Sequence, residues 1–169
     1  MFGKDDIVLI DTNVILEAHR VSCWNALAGR FKLVTVEKVI EETQTGYQNR
    51  SPEKTIDVTK LRASFHHIEP INELERAEFI LNYNGIHLDD GERDLAIYAL
   101  KLPTVPVWYL NSPDRASVNF ANTQKWLDRV VSLEEMADFV GHRTNCGYGQ
   151  NYTKSWLNQA KLDYRMGKI

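Results

Sequence analysis

The segment that most constrains this chain is Ile7-Val8-Leu9-Ile10-Asp11-Thr12-Asn13, an apolar run that ends abruptly on a carboxylate. A continuous run of β-branched and leucyl residues reads as a strand buried on both faces, the habit of parallel sheets. Asp11, Thr12 and Asn13 are N-cap residue types, and Val14-Ile15-Leu16 resumes the apolar pattern as a helix would. Asp11 is therefore expected at the carboxyl end of a central strand, the edge at which open α/β sheets bind ligands.

The rest of the chain repeats the alternation. Trp24 to Phe31 reads as a helix and Lys32-Leu33-Val34-Thr35 as a second strand. Val36, Val39, Ile40, Thr43 and Tyr47 recur at helical spacing, with Gly46 near the end of that helix. A polar loop over 48–54 follows, with Ser51-Pro52 able to start a helix that runs from Ile56 to Ser64. Phe65 to Ile68 suits a short strand, and Asn72 to Asn82 a helix closed by Asn84-Gly85. Asp89-Asp90-Gly91-Glu92 opens a helix through Leu100, closed by Pro103. A strand over 105–110 is followed by a helix opened by Ser112-Pro113. A short strand at Arg129-Val130-Val131 and a helix with a capping box at Ser132-Leu133-Glu134-Glu135 complete the body. This order predicts a three-layer α/β/α sandwich around a central, mainly parallel sheet.

At 169 residues the chain has room for one domain with a sizeable core. No run reaches membrane-spanning length and the N-terminus lacks a signal-peptide pattern, so a cytoplasmic protein is expected. Cys23 and Cys146 are far apart and form no zinc pattern, and the five histidines lack ligand spacing. The net charge of −3 conceals an asymmetry: residues 141–169 carry five Lys and Arg against Asp163 alone, a surplus of +4, which leaves −7 on the preceding 140. An acidic body argues against a protein that coats nucleic acid and suits one whose acids are partly reserved for cations. We divide the chain into a body over 1–140 and an extension over 141–169, where Gly141 to Gly149 reads as a loop and a helix follows from Thr153.

Each acid has a plain structural explanation. Asp11 can cap the first helix, Asp114 suits the first turn of another, and Asp89 with Glu92 matches a capping box. Glu41 and Glu42 lie off the apolar stripe of their helix. Asp94 lies about a turn beyond its cap, where capping offers it no role. Jointly, Asp11, Glu42, Asp94 and Asp114 come from four separated elements that a parallel sheet can bring to one edge.

This arrangement resembles the PIN-domain nucleases, in particular the VapC-like toxin ribonucleases. The resemblance rests on the hydrophobic-Asp-Thr-Asn opening at 7–13, Val34 to Thr43, Leu88 to Ala96 with its Gly-Glu-x-Asp-like segment, and Tyr109 to Arg115, covering 7–131 in order. It implies metal-binding, catalytic carboxylates at Asp11, Glu42, Asp94 and Asp114, with Glu42 favoured over Glu41. Asn13 or Thr12 would hold the first carboxylate, and Glu92 would support the helix cap. It further implies Mg²⁺ or Mn²⁺ as cofactor, since hard dications with open positions accept carboxylate and phosphate oxygens. The expected activity is endoribonuclease hydrolysis leaving a 5′-phosphate and a 3′-hydroxyl, with a cognate antitoxin protein and a homodimer as partners the family brings with it. Pro113 departs from the pattern, because relatives often carry an acid or polar residue there, and this argues against a tightly held second ion.

Two alternatives stay open at this level: a catalytically weak PIN-like module that binds RNA or protein, and a phosphatase-type α/β domain. Against the phosphatase, the second acid expected two residues after Asp11 is Asn13. In the extension, Lys154, Asn158, Lys161 and Arg165 fall on one helix face, and Trp156, Leu157, Ala160 and Tyr164 on another. The apolar face is expected to pack on the body or a second subunit. Lys154, Lys161 and Arg165 are the candidate nucleic-acid contacts, facing RNA phosphate or else simply solvent.

Overall fold

The computed structural model describes residues 2–45, 55–102 and 107–168. The first apolar run forms β1 (Ile7–Ile10), and Val8, Leu9 and Ile10 are all fully buried. Successive strand residues point to opposite faces, so a run without an exposed member requires helices on both sides. Asp11 caps α1 (Thr12–Arg20), whose Val14, Ile15 and Ala18 turn inward, and α2 (Trp24–Ala28) follows. The second helix stops three residues earlier than its pattern suggests. Lys32 is already paired with Ile7 in the sheet, and Gly29 to Phe31 make the turn.

The second strand, β2 (Lys32–Val36), lies parallel to β1 and runs straight into α3 (Glu37–Gln44). Next come α4 (Val58–Ser64), capped by Asp57, and β3 (His67–Glu69), parallel to β2. α5 (Glu73–Asn82) opens on an Asn72–Glu75 capping box, and α6 (Asp90–Lys101) on an Asp89–Glu92 one. In each box the cap side chain takes an orphan N–H while the glutamate returns to the cap's own N–H. Gly85, at φ +93°, makes the left-handed turn between these helices that a side chain would oppose. β4 (Trp108–Asn111) pairs parallel with β1 on the side away from β2, and Asp114 caps α7 (Arg115–Thr123). Pro113 thus precedes the cap.

The sheet order is β3-β2-β1-β4, all parallel, within a three-layer α/β/α sandwich. The chain moves from β1 to β2 in one direction and returns to add β4 on the other side. The strand order therefore reverses at β1, and ligands of such sheets bind outside the carboxyl ends at that point. The strand expected over 129–131 does not form. Leu127–Arg129 is a 3₁₀ turn and Val130 makes a single bridge to Leu110, because Ser132 is already committed as the cap of α8 (Leu133–Phe139). The expectations for Gly46, Tyr47, the loop over 48–54, Pro103 and the start of the strand over 105–106 lie outside the described residues.

The extension ends in α9 (Lys154–Arg165), capped by Thr153. Leu157 and Ala160 pack with Val118, Ala121, Leu127 and Val130, so the apolar face docks on the body of the same chain. The preceding loop is tied back to α1, where Gly149 N–H donates to Glu17 at 2.7 Å and Arg20 donates to Gly147 O at 2.7 Å. No helix among the described residues is long and apolar enough to cross a membrane.

Candidate functional site

Asp11 leaves β1 at the point of strand-order reversal, and its carboxylate is 3 % exposed. Thr12 N–H donates to its Oδ1 at 2.7 Å, and Ser112 Oγ, just past β4, donates more weakly to Oδ2 at 3.4 Å. Burial, and after it the charges of Glu92, Asp89 and Glu42, push its pKa up to about 8. A carboxyl so placed resists ionisation unless a cation joins it.

Glu42 reaches the same edge from α3. Thr12 Oγ1 donates to its Oε2 at 2.6 Å, so one threonine steadies two acids, through its amide to Asp11 and its hydroxyl to Glu42. Burial first, then Asp89, raises the Glu42 pKa, and the charge of Lys38 acts against them. Gly91 in the first turn of α6 abuts this carboxylate so closely that a Cβ there would overlap Glu42 Oε2. A side chain at 91 would force the Glu42 carboxylate to turn from this position. Glu41 points away, more than half exposed, towards Lys38. Asn13 is exposed, and it is Thr12 that hydrogen-bonds to both carboxylates.

Glu92 enters the site from α6. Its Oε2 accepts the Asp89 N–H at 3.1 Å in the capping box, while Oε1 accepts Ser117 Oγ from α7 at 3.0 Å. Burial, then Asp89 and Asp114, raise its pKa to about 7. Asp89 presses electrostatically on Asp11, Glu42 and Glu92 together, and Asp114 on Glu92. The structure thus groups Asp11, Glu42, Asp89, Glu92 and Asp114.

Asp94 is not brought to this group. It lies two residues from Glu92, about 200° around the helix, and is 1 % exposed. Arg76 of α5 grips it, with Nη2 to Oδ2 at 2.7 Å and Nε to Oδ1 at 3.0 Å. The structure therefore places Asp94 in a buried bridge between α5 and α6, and Glu92 in the position foreseen for Asp94. Asp89, Ser112 and Ser117 are the residues that the sequence reading did not place at the site. The Gly-Glu-x-Asp segment points to α6, and the partners that separate its faces are Arg76, which takes Asp94, and Ser117, which takes Glu92.

The donors are all hard oxygens at the correct sheet edge, and the acid crowding is what a divalent cation relieves. As placed, however, no three His, Cys, Asp or Glu side chains among the described residues are arranged to hold a metal ion. The reason is local: Asp89, Glu92 and Asp114 each spend oxygens on a helix cap. To share an ion, these side chains would have to turn while Asp11 and Glu42 stay fixed by Thr12.

The cations of α9 are engaged with the body. Lys154 pairs with Asp138, Arg165 with Asp128 at 2.6 Å, and Lys161 donates to Val130 O at 2.6 Å. Half-burial pushes the Lys161 pKa down. Replacing Lys154, Lys161 and Arg165 together by Gln is therefore expected to loosen α9, seen as earlier amide exchange in 154–165. If exchange there stays unchanged while the salt dependence of RNA binding flattens, the face contacts nucleic acid instead.

No family model and no curated protein matches this chain.

Proposed function

We propose that this chain is a divalent-metal-dependent endoribonuclease with a PIN-like arrangement of acids. The observation that carries the reading is the meeting of Asp11, Glu42, Glu92 and Asp114, from four different elements, where the strand order reverses. Asp11 is too deeply buried, and after that too crowded by like charge, to ionise easily without a cation. Asp11, Glu42, Glu92 and Asp114 would hold Mg²⁺ or Mn²⁺, with Asp89 at their edge. Bound there, the ion would neutralise the acids and bring a water's pKa towards neutrality for in-line phosphodiester hydrolysis. Thr12 fixes the Asp11 and Glu42 carboxylates, and Ser117 fixes Glu92, so the oxygens facing substrate are oriented before it arrives.

A second reading, RNA binding without efficient cleavage, has one observation behind it: the capping duties of Asp89, Glu92 and Asp114 compete with metal ligation. One assay separates the readings. Purified protein is incubated with single-stranded RNA and with an aryl phosphate, with Mn²⁺ and with excess chelator. The nuclease reading expects RNA cleavage that chelation abolishes and no aryl-phosphate turnover. Binding with no Mn²⁺-dependent cleavage supports the second reading, and aryl-phosphate turnover alone contradicts both.

A further inference from the structure

Five acids grouped at one sheet edge, to the extent that they ionise, repel the phosphates that a ribonuclease must draw in, so a substrate strand needs a cation beside them. Lys38 stands on α3 one turn before Glu42, which places the two on the same face of the helix. Its Nζ lies 3.4 Å from Glu41 Oε2 and 3.9 Å from Asp90 Oδ2. The ammonium thus spans the mouth between α3 and the first residue of α6, beside the contact of Glu42 with Gly91.

Neither pairing commits the lysine. Glu41 and Asp90 are 64 % and 57 % exposed, and Asp90 has a nearer partner in Arg93 Nη1 at 3.0 Å. Open pairs of this kind are worth about 0–1 kcal/mol and yield to a better partner. Phosphate is such a partner, with several acceptor oxygens for an ammonium.

We propose that Lys38 is a substrate-binding residue whose ammonium leaves Glu41 and Asp90 to pair with a phosphate of the RNA strand next to the one that is cut. The proposal rests on the ribonuclease reading and names how that site takes its substrate. It makes Lys38 a contact to the backbone, indifferent to base identity.

The test compares wild type with Lys38→Gln and Lys38→Arg, and with Lys4→Gln as a charge-matched control. Lys4 is exposed and precedes β1, at the opposite edge of the sheet. Binding of a short single-stranded RNA is measured across a salt series, together with KM and kcat in Mn²⁺ and the affinity for Mn²⁺ alone. Lys38→Gln should weaken binding and raise KM about five- to tenfold and lower the salt slope by about 0.7, the value for one lost phosphate contact. Its kcat should stay close to wild type and its Mn²⁺ affinity should hold or tighten, because a repelling cation has gone. Lys38→Arg should restore most of the binding, and Lys4→Gln should change nothing. Wild-type cleavage with an unchanged Lys38→Gln slope overturns the Lys38 proposal alone. So does an equal loss in Lys4→Gln, which would signal bulk charge. A wild type that neither binds nor cleaves RNA overturns the ribonuclease reading, and this proposal with it.

Discussion

Asp11→Asn is expected to reduce metal-dependent RNA cleavage to background while raising the melting temperature of the metal-free protein. The two effects share a cause. Folding moves the Asp11 pKa from 3.8 to about 8 through burial and the neighbouring acids. Because the folded value is the higher one, the folded state holds a proton that the unfolded chain has lost. Stability is therefore fully present below pH 3.8 and falls as pH rises through about 8. A fully buried shift of this size corresponds to a few kcal/mol at neutral pH, which for a chain of this length is a rise of roughly 5–10 °C in the variant. Asparagine still accepts the Thr12 N–H and carries no charge, so the gain should be small at pH 4 and largest near pH 8. Thermal melts in excess chelator across that range check it. A variant less stable than wild type at pH 8 would show that the cluster does not repel in the folded state.

The second large effect is expected away from the site. Arg76→Ala leaves the Asp94 carboxylate, 1 % exposed, without its bidentate partner. Removing one member of a buried pair costs about 3–5 kcal/mol, because the remaining charge stays desolvated. Arg93, with Nε 3.7 Å from Asp94, is too distant to replace that grip. Urea unfolding should show the loss, and adding Asp94→Asn to Arg76→Ala should recover part of it. The folded fraction of Arg76→Ala should bind Mn²⁺ as wild type does. A variant as stable as wild type but unable to bind Mn²⁺ would return Asp94 to the metal site.

The contrast between Asp94 and Glu92 shows where sequence reasoning stops. The buried run over 7–10, the Asp89 and Ser132 capping boxes and the helix start at Thr153 are local signals, and the elements they predict form. Which helix face meets the sheet edge is not local. Glu92 and Asp94 are separated by two residues, so the phase of α6 decides between them, and that phase is set by partners far along the chain. Arg76 takes Asp94 from 18 positions away, and Ser117 takes Glu92 from 25. The capping box uses only one of the two Glu92 carboxylate oxygens and leaves the other for Ser117. The same distance effect hides the fate of the α9 cations. Their spacing was legible, but the acids that receive them, Asp128 and Asp138, arrive through tertiary packing. The helix pattern leaves Glu41 and Glu42 equivalent, both off the apolar stripe, and the preference for Glu42 comes from the resemblance; in the fold Glu42 is the one that accepts the Thr12 hydroxyl.

If Asp11, Glu42, Glu92 and Asp114 form one site for a divalent cation, they must bind it together. The most direct test is a Mn²⁺ titration followed by the loss of the free-ion electron paramagnetic resonance signal, on wild type, Asp11→Asn, Glu92→Gln and Asp94→Asn. The expected result is saturable binding in wild type, lost in Asp11→Asn, at least about tenfold weaker in Glu92→Gln, and retained by Asp94→Asn. Wild-type protein that leaves the Mn²⁺ signal unchanged at millimolar ion, or Glu92→Gln that binds as wild type does while Asp94→Asn does not, would contradict the shared site.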